Sequence, residues 1–355
     1  MRRVLPLLYF LCSAAYAQDP GTRLHIESED GRFSLNPGAH LQVRAQFQSA
    51  NSDEPQHAFS IPRGRLLVAG HAWSKDLSYF LLTNWSPEQA SLVDAFINYR
   101  IGAGVQVRVG QYKKPFSRHF LQDNPHVALV DYATIGSHYG TGRDVGLMFH
   151  NGIAQKTGFE WSIGTFDGGL HAPDDTGLPR RIHPIVVGRI GLSTPGMEEY
   201  SQIDFEGGSL RVAVGLNTQL DFDSDRNNDG NSQHGLDGMV KIGGLGGQFA
   251  IYTQTLQSDP DRWTAQQVVD YGLHTEANFV VDKRLAPAIR YSLVHARDRA
   301  NGTDLEELTA GFTTYFQQHA VKWAHDIGAL TQTDLGRRPR VESMLQIRTQ
   351  VELSF

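Results

Sequence analysis

Arginines recur along this sequence at positions where they alternate with apolar residues. In the segment Leu41 to Phe47, Arg44 lies between Val43 and Ala45. Comparable arrangements surround Arg65, Arg100, Arg108, Arg189, Arg211, Arg290 and Arg348. A guanidinium group is permanently charged and offers several donors in one plane, which suits the oxygens of carboxylate and phosphate anions. The spacing predicts a row of basic side chains on one face of a sheet. Such a row is suited to binding anions.

The segment from Leu345 to Phe355 shows what kind of strand carries these side chains. One face bears Leu345, Ile347, Thr349, Val351, Leu353 and Phe355, and the other bears Gln346, Arg348, Gln350, Glu352 and Ser354. Strict alternation over about 9–11 residues is the length that crosses a bilayer when the strand is tilted. The pattern predicts a transmembrane β-strand with an apolar outside and a polar inside. A terminal aromatic residue of this kind is typical of bacterial outer-membrane barrels.

The same two-residue period returns at short intervals, separated by Gly, Asn, Asp and Pro. Further segments of this kind begin near Leu41, Ile61, Leu77, Val93, Val105, Val145, Phe159, Ile185, Leu210, Met239, Gly247, Tyr271, Leu285, Leu308 and Val321. Together they indicate about 16 strands, an even number that places both termini on the periplasmic side. The expected fold is all-β: a transmembrane antiparallel β-barrel formed by residues 18–355 as one domain.

The N-terminus indicates the compartment. Arg2 and Arg3 precede an apolar run, and Ala15-Tyr16-Ala17 has the small-x-small form of a signal-peptidase site. We expect residues 1–17 to be a cleaved signal peptide and the mature chain to reside in the bacterial outer membrane. The only cysteine, Cys12, lies within this signal, which argues against disulfides and thiol catalysis.

Net charge argues against one class of partner. Without Arg2 and Arg3 the chain carries 30 basic and 38 acidic residues, a net charge of −8. Nucleic-acid binding is not expected from an acidic chain without a basic cluster. Acidic outer loops are compatible with a basic interior, so the net charge does not decide the character of the barrel's lumen.

One segment interrupts the alternation. Residues Lys113 to Gly142 form a long stretch rich in His, Pro and Gly. Loops of that length in a compact fold are usually functional or disordered. Because this segment follows the fifth strand, we expect a constriction loop folded into the lumen. A solvated extracellular loop is the alternative.

The inward arginines also have a purely structural interpretation. A water-filled barrel places charges inside, where arginines can pair with inward acids such as Asp94, Asp144, Glu160 and Glu276 and hold the wall together. The sequence leaves this interpretation and the anion path open as alternatives.

Around Gly110 the chain resembles a known family. Gly110-Gln111-Tyr112-Lys113-Lys114-Pro115-Phe116-Ser117 follows Asp94-Ala95-Phe96-Ile97 and precedes Gly142-Arg143-Asp144-Val145-Gly146. This succession is similar to the phosphate-selective porin O and P family. The resemblance implies a 16-stranded outer-membrane barrel, commonly a homotrimer in outer-membrane lipid, that passes small anions such as phosphate or polyphosphate. Lys113 and Lys114 fall within the matched motif, where Lys113 could be structural.

No motif for catalysis, a metal or a cofactor stands out. The fifteen histidines are scattered without an H-E-x-x-H pattern, no G-x-S-x-G elbow occurs, and the glycines at 243–247 fit a turn between strands. We therefore expect neither an enzyme nor a cofactor. A passive, anion-preferring diffusion channel is the main prediction. The alternatives are a general non-selective porin, a barrel adhesin or receptor acting through its outer loops, and a soluble secreted β-sandwich lectin.

Overall fold

Seventeen β-strands and three short helical turns make up the computed structural model, which describes residues 24–50, 54–86, 90–102, 104–139, 142–152, 158–168, 184–197, 200–222, 230–257, 267–296, 303–334 and 340–355. The strands are β1 (Ile26–Glu27), β2 (Ser34–Ala50), β3 (Gln56–Ala72), β4 (Ser74–Trp85), β5 (Ala90–Gly102), β6 (Val105–Lys113), β7 (Arg143–His150), β8 (Gly158–Phe166), β9 (Ile185–Ser193), β10 (Arg211–Asp221), β11 (Gly230–Ile242), β12 (Leu245–Gln257), β13 (Gln267–Phe279), β14 (Leu285–His295), β15 (Thr303–Gln317), β16 (Val321–Asp334) and β17 (Arg340–Ser354). The helices are α1 (Arg118–Leu121), α2 (Ile135–Tyr139) and the 3-10 turn Asn124–His126.

Strands β2 to β17 form one closed antiparallel barrel. Each strand pairs with the next along the chain, and β17 returns to pair with β2 from Met344–Ala50 to Ser354–His40. The two-residue β1 pairs with the start of β2 and is not counted as a strand of the barrel. The prediction of an all-β barrel of about 16 strands is confirmed.

Side chains alternate between the two faces of the wall, as the sequence indicated. On β17, Leu345, Ile347 and Val351 are exposed on the outer surface, whereas Gln346 and Arg348 are buried inside. Closure leaves no open sheet edge, which is the condition for β-structure in a bilayer, where unpaired backbone groups cost several kcal/mol each. An apolar outer surface of this kind suits contact with lipid, where its exposure carries no penalty.

The barrel has two distinct ends. At the end that we call the terminal end, β2 begins and β17 finishes, and Ala39 and Phe355 exchange backbone hydrogen bonds of 2.9 and 3.0 Å. Tight turns occur here: Gly243 and Gly244 join β11 to β12 with φ of 56° and 92°. Two consecutive positive φ values suit a two-residue hairpin and favour glycine at both positions. The opposite end is called the loop end.

The β6–β7 connection, residues 114–142, enters the lumen from the loop end, and we call it the inserted loop. It contains both α-helices and the 3-10 turn, and many of its residues are buried, including Phe116, Leu129, Ile135 and Tyr139. The expected constriction loop is confirmed, and it begins one residue later than predicted.

A second segment, which no pattern in the sequence predicted, enters the lumen from the terminal end. It is the β9–β10 connection, residues 194–210, here named the terminal-end segment. Gln202 joins it to the inserted loop, because its backbone N–H donates to His126 O (3.2 Å) and its side-chain oxygen accepts from Ala128 N (2.7 Å). The two connections therefore meet inside the barrel.

The expected signal peptide at residues 1–17 lies outside the described residues. Among the described residues, none of the helices combines the length and the apolar composition that crossing a bilayer requires.

The outward face generates a first prediction. Ile327 lies midway along β16 and is 49% exposed. Ile327→Arg should lower the free energy of unfolding in lipid vesicles by about 2–4 kcal/mol, because it places a charge at the bilayer midplane. Urea titration followed by tryptophan fluorescence measures this change. Thr331→Arg, on the same face but near the loop end, is the matched control with an expected cost of about 0–1 kcal/mol. Equal costs at the two positions would contradict the assignment of this face to lipid.

Candidate functional site

The inserted loop is anchored first on β11. The Asp237 carboxylate accepts from Arg118 Nε of the loop (2.9 Å) and from both terminal nitrogens of Arg189 on β9 (2.6 and 2.7 Å). Arg189 also donates to Glu160 (3.0 Å) and to Phe116 O of the loop (2.8 Å). A bidentate arginine pair with further donors is among the stronger polar contacts available in a protein. This cluster fixes the start of the loop against the wall.

A second anchor lies on β14 and β15. Glu307 accepts from the backbone N–H and the hydroxyl of Thr134 (2.7 and 2.8 Å) and from Arg290 Nε (2.9 Å). Arg290 in turn donates to Asp131 O (2.8 Å). One acid and one base of the wall therefore satisfy backbone groups of the loop that would otherwise be buried without partners.

A third anchor lies on β16 and β17. Lys322 Nζ donates to Pro125 O (2.7 Å) and Val127 O (3.1 Å), and the Asp326 carboxylate accepts from Val130 N (3.1 Å). Gln350 donates to Val130 O (3.2 Å). Wall side chains thus supply hydrogen bonds to backbone groups of the loop that regular secondary structure would otherwise satisfy.

Apolar packing supplements these polar anchors at α2. The Tyr139 ring stacks on Tyr252 with centroids 5.1 Å apart. A Cβ at Gly272 of β13 would lie 2.4 Å from the Tyr139 ring, so glycine is required for this close approach. The wall is therefore shaped to receive the loop.

On the far side of the loop, Asp131 contacts β2 and β3. Its carboxylate accepts from Arg44 (2.6 Å) and from Arg63 (2.9 Å). Burial alone would raise the pKa of Asp131, but Arg63 and Arg44 hold it well below its usual range. The carboxylate therefore stays ionised at any physiological pH. This pair of ion bridges fixes the loop across the lumen between β14 and β2–β3.

A buried histidine lies at the centre of the docked loop. His119 Nε2 accepts from Ala133 N (3.0 Å), and its ring lies 4.5 Å from that of His274. Burial, followed by the nearby Arg290, lowers the pKa of His119 to about 3. The imidazole is therefore neutral in the docked loop, as its acceptor role requires.

A narrow cavity separates the inserted loop from the wall formed by β2, β3, β4 and β7. Its lining combines basic, apolar and loop residues: His40, Arg65, Leu67, Leu82, Asp123, Asn124, Pro125, His126 and Arg143. We call this space the passage. It lies on the side of the loop opposite to the anchors on β11, β14 and β15.

Basic side chains outnumber carboxylates on the passage side. The cations there are Arg44, Arg63, Arg65, Arg108, Lys113, Lys114 and Arg143, and the carboxylates are Asp94, Asp123, Asp131, Asp144 and Glu352. Arg143 is paired with Asp94 (2.9 Å), and Lys113 lies 3.3 Å from Asp123. Even with these pairs, the cations outnumber the carboxylates around the passage.

The structure divides the arginines predicted to face inward. Arg189, Arg290 and Arg348 are buried in ion pairs with Asp237, Glu307 and Asp326 of the wall, and Arg211 is paired with Asp204 and Glu206 of the terminal-end segment. Arg44 holds the loop, whereas Arg65 lines the passage. Arg108 lies over the Phe96 ring at 4.2 Å. Arg100 lies at the rim of the terminal end, 57% exposed and 3.5 Å from Asp76.

The two motif lysines have different surroundings. Lys113 donates to Gln122 O (2.8 Å) and Leu121 O (3.3 Å), which ties the loop to the end of β6. Lys114 is buried, and burial lowers its pKa, while the charges of Asp144 and Asp221 oppose that shift. Both lysines therefore lie at the base of the inserted loop.

Three residues of the site were not singled out from the sequence. Arg63 lies two residues before Arg65 on β3, so the same alternation could have placed it on the inner face. Arg143 was noted only as part of a motif. Asp131 lies in an irregular loop, where periodicity carries no information.

Within the described ranges, no group of three or more His, Cys, Asp or Glu side chains comes together in a way that could hold a metal ion.

A closed 16-stranded barrel with a lipid-compatible outside, a charged lumen and a loop folded into it defines the class of outer-membrane channel proteins. Residues 35–176 match the model of the family described as phosphate-selective porin O and P, which confirms the resemblance seen in the sequence. The barrel is accordingly a protein of the bacterial outer membrane. No protein of curated function matches the chain in sequence.

Solved structures share the fold at low identity. OmpT of Vibrio cholerae, an outer-membrane protein, is 10% identical with a TM-score of 0.60, covering 94% of this chain and 100% of its own. The outer-membrane channel DcaP of Acinetobacter baumannii is 9% identical with a TM-score of 0.61 (93% and 99%). OprB of Pseudomonas putida is 10% identical with a TM-score of 0.54 (92% and 95%).

The bridges of Asp131 generate a second prediction. Asp131→Asn should weaken loop docking by about 1–3 kcal/mol, because it leaves Arg44 and Arg63 without their shared carboxylate. We expect a larger and noisier single-channel conductance in planar bilayers. Asp282→Asn, in the exposed β13–β14 turn, is the control and should leave the current unchanged. A quiet Asp131→Asn channel of unaltered conductance would show that these bridges do not hold the loop.

The environment of His119 generates a third prediction. A released loop takes up a proton near the ordinary pKa of about 6.5, whereas the docked loop does so only near pH 3. Docking is therefore fully stable above pH 6.5 and weakens as the pH falls from 6.5 towards 3, by about 2 kcal/mol at pH 5. Asp131 contributes little above pH 5 because its carboxyl is ionised in both states.

Single-channel recordings between pH 7.5 and pH 4.5 measure this effect as increasing current fluctuation in acid. His119→Gln keeps an acceptor for Ala133 N but cannot be protonated, so its fluctuation should depend much less on pH. An equally steep pH dependence in His119→Gln would assign the effect to another group.

Proposed function

We propose that this barrel is a diffusion channel that prefers small anions and conducts them through the passage between the inserted loop and the wall of β2–β7. The observation that carries the proposal is the excess of basic side chains on that side of the loop. Arg65 and Arg143 line the passage itself, and Arg44, Arg63 and Arg108 lie near it. Low-dielectric walls strengthen this field beyond its value in bulk water.

Conduction also requires that an anion can leave. Several guanidinium groups, each already engaged with a carboxylate, an amide or a ring, offer weak sites in succession and no single deep site. Arg143 keeps Asp94 as a partner, and Arg65 donates to Asn124 Oδ1 (2.8 Å). Such partial neutralisation favours passage over retention. Phosphate is one of the anions that this field would admit.

We also propose that the channel is a homotrimer in outer-membrane lipid. The support is a likeness of fold to the trimer form of Vibrio cholerae OmpT, which is 12% identical with a TM-score of 0.55. Chemical cross-linking in membranes tests this proposal. Migration only as a monomer would contradict it.

A fourth prediction tests the selectivity. In a gradient of dilute KCl, where screening is weak, the reversal potential should indicate a preference for chloride over potassium. Arg65→Gln combined with Arg143→Gln should reduce the permeability ratio several-fold, because both side chains line the passage. Arg100→Gln, at the rim, is the matched control and should change it little.

Two results would contradict the proposal. A cation-preferring or unselective wild-type channel would make the barrel a general porin, and equal effects of the passage and rim substitutions would place the selectivity elsewhere. Added phosphate at millimolar concentration tests whether that anion enters the same path.

A further inference from the structure

The wall beside the passage has an apolar inner face. Leu67 and Ala69 on β3, Phe80 and Leu82 on β4 and Phe96 on β5 all point into the barrel and pack together. The interior of a solute channel is ordinarily polar. Five inward apolar side chains on three neighbouring strands therefore need a reason beyond wall construction.

Aromatic and cationic groups continue this face. The Phe80 and Phe96 rings stack with centroids 5.3 Å apart, and the Arg108 guanidinium lies 4.2 Å above Phe96. The Tyr112 and Phe96 rings form a T-shaped pair with centroids 5.8 Å apart. The result is an apolar surface bordered by positive charge.

The passage combines apolar surface and positive charge within one cavity. Leu67, Leu82 and Pro125 supply apolar surface, and Arg65 and Arg143 supply donors. Asp123 also lines the cavity, but Lys113 lies 3.3 Å from its carboxylate and offsets its charge. An anion in this cavity meets both cationic and hydrocarbon groups.

This arrangement favours one kind of anion. Phosphate is polar over its whole surface, so the apolar side of the cavity would strip water from it without replacing the hydrogen bonds. A monocarboxylate carries its charge at one end only. Its carboxylate can accept from arginine donors while its hydrocarbon part contacts Leu67 and Leu82.

We propose that the passage is a selective site for small monocarboxylates with an apolar body, which it binds in preference to inorganic phosphate. This inference rests on the proposed anion-conducting function and specifies its substrate class. The cavity has a volume of only about 30 Å³, so the part of the ligand that enters it must be slender, such as the end of a short alkyl chain.

The test uses acetate, propionate, butyrate and inorganic phosphate as blockers of chloride current through the refolded barrel in a planar bilayer. We expect block to strengthen with chain length, by up to about fourfold for each added methylene, because each is partly removed from water. Butyrate should block more strongly than phosphate at equal concentration. Block that does not change from acetate to butyrate, or that is strongest for phosphate, would overturn the inference.

A matched pair of variants locates the site. Leu67→Ala removes apolar surface from the passage, whereas Leu66→Ala makes the same change on the lipid-facing side of β3. Only Leu67→Ala should flatten the dependence on chain length. Equal behaviour of the two variants would also overturn the inference.

The two proposals fail in different ways. If the reversal potential shows no anion preference, the proposed function falls and this inference falls with it. If the anion preference is present but chain length has no effect, the channel function stands and only the monocarboxylate site is rejected. The blocker series measured on the wild-type barrel distinguishes these two outcomes even if a variant does not fold.

Discussion

The backbone hydrogen bonds between β2 and β17 close the sheet, and the other features depend on that closure. In a bilayer an open strand edge would expose a row of unpaired peptide groups, so a β-protein can span it only as a ring. A ring divides its side chains into an outer set that contacts lipid and an inner set that does not. The apolar exterior and the charged interior are both consequences of this division.

The inner charges then have two different uses. On β9, β11 and β14–β17 they are paired with one another and with backbone groups of the inserted loop, as in the cluster of Arg189, Asp237 and Arg118. Buried ion pairs contribute little net stability but penalise every arrangement that leaves one charge unpaired. They therefore specify one position for the loop. On the opposite side, near β2–β7, the basic side chains exceed the acids and border open space.

Local pattern predicted the strands well, because alternation is a property of neighbouring residues. It also identified residues 113–142 as an interruption of the two-residue alternation. It could not separate Arg290, which anchors the loop, from Arg65, which lines the passage, since their partners come from distant parts of the chain. The terminal-end segment was not predicted, because the contacts that place Gln202 in the lumen leave no periodic pattern in the sequence. The apolar face at Phe80 and Leu82 was missed because β4 does not alternate strictly.

The anchoring of the inserted loop has a consequence for the order of folding. Val130 of the loop is bound by Asp326 and Gln350, 196 and 220 residues further along the chain. Contacts of such high sequence separation form late, because the intervening chain must first be ordered. We expect the loop to reach its place only after the final strands have joined the barrel. Until then the backbone of Val130 lacks the partners that hold it in the docked loop, and incompletely packed barrels of this kind are prone to aggregation.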